Sequence, residues 1–272
     1  MAFKVELPDK ITPAQAGPYL ADDNWVVQEK RNGRHRLITR DTSNQIGCFN
    51  RDGVLRDIGP AFKAVLLSDK LPPFYVIDCE EEQDAIVILD VLVSGGTDFI
   101  PRPYRDRLAE AEKSYTGIHP ALLVIESIYG TTAKLNEIER LHNAKAEGCV
   151  FKNLDAVYKQ GRAAQHHALK FWKTVDCVVL ELNNKPGKHG IMRDSCDLGV
   201  VDEGGKLVNV GSSSLIGKPK VVPGEVVEVK CLYSSPSLRL VQPTIIRRRD
   251  DKLAKDCGVS QVREIINKNW RY

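Results

Sequence analysis

The sequence predicts an α+β fold in two parts, antiparallel sheets with flanking helices followed by a small C-terminal β-barrel. Three observations lead there. Short runs rich in β-branched and aromatic residues recur along the whole chain. Two longer segments without Gly or Pro carry helical spacing, and both lie before residue 147. Beyond Thr174, strand-like runs follow one another between Pro-Gly and Gly-Gly turns. With 272 residues, 42% of them hydrophobic, the chain can bury a sizeable core, which excludes disorder as its main state. At roughly 100 to 200 residues per domain there is room for two, placed at 1–173 and 174–272.

In chain order, strands are expected at 25–29 (WVVQE), 74–78 (FYVID), 85–91 (AIVILDV) and 149–152, each short and dominated by residues that suit a pleated surface. Helices are expected at 104–115 and 133–146; the second sets Leu135, Ile138 and Leu141 at helical spacing beside charged positions. Strands follow at 176–182, 206–210, 225–233 and 239–246, with turns at Pro186-Gly187, Gly204-Gly205 and Pro223-Gly224. After Cys257-Gly258 the segment SQVREIIN reads as a helix. The strand count suits a five-stranded barrel of about 100 residues, a fold used to bind nucleic acid.

Net charge is +3, but its distribution is uneven: 23 basic against 24 acidic residues up to Lys173, and 16 against 12 from Thr174 onward. The basic excess is C-terminal, where it fits either a polyanion partner or a solvated surface. Seven cysteines are widely spaced with no CxxC pair, so they read as reduced and mostly buried. No run approaches the ~18 apolar residues of a membrane span, and MAFKVELPDK lacks a signal-peptide core, so a cytoplasmic protein without membrane contact is expected.

Chemistry concentrates in a few places. The 25–29 strand delivers Lys30 to Asn32-Gly33 with Arg31, Arg34, His35 and Arg36 around it. A lysine fixed by a strand and flanked by cations, which favour the neutral amine, suits a nucleophile; an ordinary basic hairpin with a type I′ Asn-Gly turn fits the same residues. Asp78-Cys79-Glu80 ends a strand, where a carboxylate suits a ribose hydroxyl or a divalent metal, or simply a solvated turn. Glu147-Gly148-Cys149-Val150-Phe151-Lys152 joins a carboxylate, a glycine turn, an apolar strand and a lysine. Lys170-Phe171-Trp172-Lys173 and Arg247-Arg248-Arg249-Asp250-Asp251-Lys252 are cation-rich and suit phosphate or a charged surface.

In this order and spacing, Lys30-x-Asn32-Gly33, Asp78-x-Glu80, Glu147-Gly148-x-Val150-x-Lys152, the lysines near 170 and Arg249-x-Asp251-Lys252 resemble the motifs of ATP-dependent DNA ligases. These belong to the covalent nucleotidyltransferase superfamily, with RNA ligases and mRNA capping enzymes. Linking segments are similar as well: Asn50-Arg51-Asp52-Gly53, residues 89–92, Gly96-x-Asp98, Arg105-Asp106-Arg107, residues 209–212, 223–229 and 243–247. The likeness runs over nearly the whole chain, and the 29 residues before Lys30 liken it to the minimal two-domain enzymes of phages, viruses and bacteria.

The resemblance implies a nucleotidyltransferase (adenylation) domain over 1–173 and an OB-fold barrel over 174–272. It implies that Lys30 attacks the α-phosphorus of ATP to form lysyl-AMP, that AMP passes to a DNA 5′-phosphate, and that a 3′-hydroxyl then seals the nick. Glu80 is expected at the ribose, Glu147 at the metal, and both are candidate ligands for Mg²⁺ or Mn²⁺. Lys152, Lys170 and Lys173 are expected near the α-phosphate, where charge builds in the transition state. Glu29 and Arg36 are placed in the nucleotide site, Arg51 at nucleotide and DNA phosphates, and Leu89 against adenine. Arg249, Asp251 and Lys252 resemble the last motif, which orients the leaving pyrophosphate when the barrel closes about a hinge near 173–175. The partner is nicked double-stranded DNA, bound by a monomer; the 189–214 segment is a candidate DNA grip by its length.

The chain departs from the family pattern at several points. Asn32 replaces an aspartate, His35 an arginine, and Leu89 an aromatic residue that stacks on the base. The lysine pair is either Lys170 with Lys173, or Lys170 with Ala168 in place of its partner. RNA ligases and capping guanylyltransferases share the first reaction, and a nucleic-acid-binding protein with a decayed site accommodates the departures.

Overall fold

The computed structural model describes residues 5–186 and 192–267, and they form two compact units. The first comprises 5–141 and Gly148–Lys170; the second comprises His142–Glu147 and residues from Phe171 onward. In the first unit, β1 (Glu6–Ile11) and the one-turn helix α1 (Gly17–Ala21) precede β2 (Trp25–Glu29), β3 (Arg34–Arg40) and β4 (Ile46–Asn50). There follow α2 (Pro60–Leu66), β5 (Tyr75–Glu81), β6 (Ile86–Ser94), β7 (Thr97–Asp98), α3 (Tyr104–Tyr115), β8 (Leu122–Val124), α4 (Thr131–Asn143), β9 (Gly148–Asn153) and β10 (Gly161–Lys170). The second unit adds β11 (Lys173–Pro186), β12 (Met192–Val201), β13 (Leu207–Ser214), β14 (Val226–Cys231), β15 (Thr244–Arg248) and α5 (Ser260–Arg263).

Two sheets build the first unit. One has the order β1-β10-β9-β2, the other β4-β3-β5-β6-β7 with β8 beside β6. They are not wholly antiparallel as expected: β1 runs parallel to β10, and β8 parallel to β6. Helix α3 lies between β6 and β8 in sequence, and a crossover of this kind delivers its second strand parallel to the first. Ile38, Ile77, Cys79, Ile86 and Ile88 pack with Leu66 of α2 and with Ala111 and Tyr115 of α3 in the largest apolar cluster of this unit. At about 1.5–3 kcal/mol per buried large side chain, that cluster is the main stabilising term on this side of the sheet.

The Arg105–Arg107 stretch, which resembles a family segment, is in part a device of the fold. Arg107 is fully buried and donates from Nε and Nη2 to the two carboxylate oxygens of Asp90 at 2.8 and 2.9 Å. Its Nη1 donates to the carbonyls of Arg102 and Ala156. All donors but one nitrogen–hydrogen direction are thus engaged inside the protein, which makes a buried guanidinium tolerable and pins α3 to β6.

The second unit is a five-stranded antiparallel sheet in the order β13-β12-β11-β14-β15, over a core that includes Val175, Cys177, Val179, Leu198, Val227 and Val229. The expected closed barrel is not found: among the described residues the hydrogen-bonded ladder ends at β13 and β15. The expected strand at 239–246 explains why. Leu238 and Gln242 have positive φ and Pro243 lacks an N–H, so before the regular ladder at Thr244 this segment makes only an isolated bridge, Leu240 with Ser234, and it reaches β13 through Leu240 N–H to the Val210 carbonyl and Arg239 to Asn209. The C-terminal helix is one turn rather than eight residues, because the backbone of 265 and 267 bonds to Ser234 instead. Gly187 of the expected Pro186-Gly187 turn and the first residues of the 189–214 segment fall outside the described residues, and most of the rest of that segment forms β12 and β13. All seven cysteines are buried and unpaired, as expected. No helix among the described residues is long and apolar enough to cross a membrane.

Removing Asp90 leaves the Arg107 charge buried without a partner. In a chain whose only tryptophan is Trp25, with Trp172 and Trp270 replaced by Phe, Asp90→Ala is expected to lower the urea-unfolding stability reported by that residue by about 3–5 kcal/mol. A change below about 1 kcal/mol contradicts this role.

Candidate active site

Lys30 is the residue that follows β2, and its backbone N–H donates to the Gly148 carbonyl at 3.0 Å, so the β2–β9 ladder extends through it. The segment after it is not a hairpin. β2 pairs with β9 in one sheet, whereas β3 pairs with β4 and β5 in the other, and neither Asn32 nor Gly33 has the positive φ of a type I′ turn. Residues 30–33 therefore carry the chain from one sheet to the other. Gly33 N–H donates to Glu80 Oε1 at 2.8 Å, and a Cβ at Gly33 would lie 2.5 Å from the Glu81 carbonyl oxygen and 2.7 Å from Glu80 Cγ. Only glycine fits that approach. Arg31 braces the same crossing, donating to both carboxylate oxygens of Glu82 and to Glu29.

Register places the other lysines. Across the first sheet, Lys170 pairs with Gly148, which accepts from Lys30; Lys10 pairs with Ala168, Ala168 with Val150 and Val150 with Gln28; His166 pairs with Lys152 and Lys152 with Val26. Directly paired residues share a face, so these three transverse rows lie on one surface of the sheet. In the first row, a Cβ at Gly148 would overlap the Leu169 carbonyl, so only glycine fits between Lys170 and Lys30. Lys170 shares the row and face of Lys30, with Ala168 two residues before it on the same face, whereas Lys173 opens β11 in the second unit.

Tyr104 of α3 covers this face. Gln28 Nε2 donates to Tyr104 Oη at 2.7 Å and to Ser127 Oγ at 2.8 Å, and Tyr104 Oη donates to the Leu89 carbonyl at 3.1 Å. Lys152 Nζ sits 4.5 Å from the centre of the Tyr104 ring, a cation–π contact. Lys152 pairs with Val26, four residues before Lys30, or roughly 13 Å along the strand, so it shares the face but not the row of Lys30. His166 Nδ1 accepts the Asn153 N–H, which puts the proton of the neutral ring on Nε2, 3.4 Å from Glu6 Oε2. Burial, reinforced by Lys152, pushes His166 down to about 2, and burial raises the Glu6 carboxyl.

In the second sheet, His35 pairs with Glu80 and Leu37 with Asp78, so both acidic residues of the Asp78-x-Glu80 motif lie on the His35 face. His35 Nε2 contacts Asp78 Oδ1 at 2.5 Å, and Tyr158 Oη donates to Asp78 Oδ2 at 3.2 Å. Burial opposes charge on His35, but the Asp78 carboxylate outweighs it and raises the imidazole above its ordinary range. Arg36 alternates to the opposite face, where it is buried and bonds Glu81. Glu29 likewise alternates away from Gln28 and lines a cleft of about 210 Å³ with Arg31, Glu137 and Arg140. In both cases the neighbour one residue away, His35 or Gln28, faces the site instead.

The remaining expected site residues lie elsewhere. Arg51 is exposed in the turn after β4, 4.0 Å from Asp52. Glu147 is buried in the second unit, where its carbonyl accepts the Phe171 N–H. Lys173 Nζ donates to the carbonyls of Phe171 and Leu232, and burial together with Lys145 lowers its pKa. Arg249 donates to both oxygens of Asp251 at 2.8 Å and to Asp176 Oδ1 at 3.0 Å, while Lys252 bonds Asp176 Oδ2. Asp176 was not apparent as a site residue in the sequence. It is buried, and Gln261 holds its backbone N–H and carbonyl at 2.7 and 3.0 Å. Among the described residues no three His, Cys, Asp or Glu side chains converge as a ready-made metal cage. Single carboxylates suit Mg²⁺, which is usually held by one or two of them together with substrate phosphates and water. A larger cleft, about 760 Å³, lies between α2 and residues 118–121 and contains none of these groups.

The His35–Asp78 contact has a definite sign. Because the folded pKa of His35 is raised, the stability it contributes is fully present below the ordinary histidine range near pH 6.5 and is lost as pH rises through the raised value. Asp78→Asn is expected to lower the His35 titration, followed by NMR of its ring, since burial and Lys152 then oppose its charge with only Glu80 left to favour it. An unchanged titration contradicts this assignment.

No protein-family model matches the chain. DNA ligase C2 of Mycolicibacterium smegmatis is 26% identical over 133 residues, a segment covering 48% of this chain and 37% of that protein. The chain thus spans little more than a third of this relative's length. The ligase domain of M. tuberculosis LigD is 20% identical with a TM-score of 0.53, covering 94% of this chain and 97% of that one. A Lig E DNA ligase structure, described as binding DNA with a minimal scaffold, is 15% identical with a TM-score of 0.62, covering 92% and 100%. The mixed α+β, sheet-rich chain has the fold of these ligase structures.

Proposed function

We propose that the chain is an ATP-dependent DNA ligase that seals nicks between a 3′-hydroxyl and a 5′-phosphate. The observation that carries this reading is the placement of Lys30: it follows a strand, shares a row with Lys170 across Gly148, and begins a sheet-to-sheet crossing clasped by Glu80. The fold shared with ligase structures over more than nine-tenths of the chain supports it.

In this reading the neutral Lys30 amine attacks the α-phosphorus of ATP; a P–N bond forms, the bond to the bridging oxygen breaks, and pyrophosphate leaves. AMP then passes from Lys30 to a DNA 5′-phosphate, restoring the amine, and the 3′-hydroxyl displaces AMP. Lys170 stabilises the negative charge that builds on the phosphate, while Gln28, Tyr104 and Leu89 shape the base end of the same face. Glu80, already fixed against Gly33, is assigned to the ribose. Mg²⁺ or Mn²⁺, held by Glu80 or Glu147 with the phosphates, would neutralise phosphate charge. The 1–173 and 174–272 regions correspond to the adenylation and OB-fold domains. Arg249 and Lys252 act in the first step, where Asp176 holds their side chains in one orientation.

With labelled ATP, the protein is expected to form a covalent adduct that Lys30→Ala abolishes; an adduct formed only with GTP supports a capping enzyme, and no adduct supports a binding protein. Nicked DNA and nicked RNA then separate the polymers. Arg249→Ala is expected to slow adduct formation about 100-fold while leaving sealing of pre-adenylated nicks largely intact, and equal loss of both contradicts its role.

A further inference from the structure

The lysine-bearing face of the first unit does not stop at β10. We propose that Lys10, on the edge strand β1, is a phosphate-binding residue of the active site and supplies the cation that β10 lacks at Ala168. The proposal rests on the ligase reading above.

Lys10 and Ala168 are direct partners in the parallel β1–β10 pair, and Ala168 lies on the face that also carries Lys170, Lys152 and Gln28. The residue before it fixes the orientation. Asp9 pairs with His167, whose ring stacks on Tyr19 and Trp25 at 4.5 and 5.3 Å on the opposite side of the sheet. His167 also feels the Asp9 charge. Alternation therefore turns Lys10 to the Lys170 side. The irregularity between Pro8 and Asp9 is what brings this register about, since the partner of β1 jumps from Ala163 to His167 there.

Two further points favour a ligand. Lys10 is exposed, and its side chain makes no hydrogen bond or ion pair among the described residues, while the adjacent Asp9 is engaged with Arg162. Neighbouring strands lie roughly 4.8 Å apart, so the flexible ammonium of Lys10 reaches across the methyl group of Ala168 toward a phosphate held at Lys170. The phosphate belongs either to the nucleotide or to the DNA end, and the two reactions separate these sources.

The test compares Lys10→Ala and the double variant Lys10→Ala/Ala168→Lys with the unaltered chain. It uses two assays: adduct formation with labelled ATP, and sealing of a pre-adenylated nick. Lys10→Ala is expected to slow one or both about tenfold without altering the circular dichroism or the thermal transition; loss in the first assay assigns the nucleotide phosphate, and loss in the second the DNA phosphate. The lysine returned at 168 is expected to restore the rate to within about threefold, because the register puts it beside the same spot. Rates within twofold of the unaltered chain in both assays overturn the proposal, as does a loss that Ala168→Lys fails to restore, which marks a structural effect on β1. An unaltered chain that forms no adduct overturns the ligase reading itself, and the proposal with it; a normal adduct insensitive to Lys10→Ala overturns this proposal alone.

Discussion

The contact on which the site depends is the clasp of Glu80 on Gly33. The chain leaves one sheet at Lys30 and enters the other at Arg34, and in those few residues it has no ladder of its own. The Glu80 carboxylate satisfies the Gly33 N–H, the Gly148 carbonyl satisfies that of Lys30, and Arg31 spans Glu29 and Glu82. A segment so held has little freedom left, so the Lys30 side chain starts from a fixed point between two sheets. Preorganisation of this kind serves group transfer, in which positioning and electrostatic stabilisation carry most of the catalysis.

The same economy runs through the charged groups. Arg107 is buried because Asp90 and two carbonyls occupy it. His166 stays neutral because it is buried beside Lys152, whereas His35, though buried, is driven toward the charged form by Asp78. In the second unit, Asp176 gathers Arg249 and Lys252, and Arg247 and Arg248 are paired with Glu228 and Glu225. These carboxylates lie in the same segment as the cations they hold, so the surplus of 16 basic against 12 acidic residues is carried by other side chains.

The residues proposed to bear chemistry stand out in the sequence by type and spacing, and the strongly patterned elements were legible: β2 and α3 match their expected bounds. What was not legible is the direction in which neighbours point. Glu29 and Arg36 stand one residue from positions that face the site, and a shift of one residue along a strand moves a side chain to the other face. β3 (RHRLITR), β10 (GRAAQHHALK) and β12 (MRDSCDLGVV) escaped because each breaks its apolar positions with charged, polar or small residues and so lacks a sustained β-branched run. The open edge of the second sheet depends on Leu238, Gln242 and Pro243, whose backbone restraints a hydrophobic pattern does not register. Asp176 lies more than 70 residues from Arg249, so only the fold reveals their contact.

The most direct measurement is the site of covalent modification. Protein incubated with ATP and a divalent metal, then digested and mapped by mass spectrometry, is predicted to carry AMP on Lys30 alone. AMP on Lys152 or Lys170 instead, or on no lysine, contradicts the account.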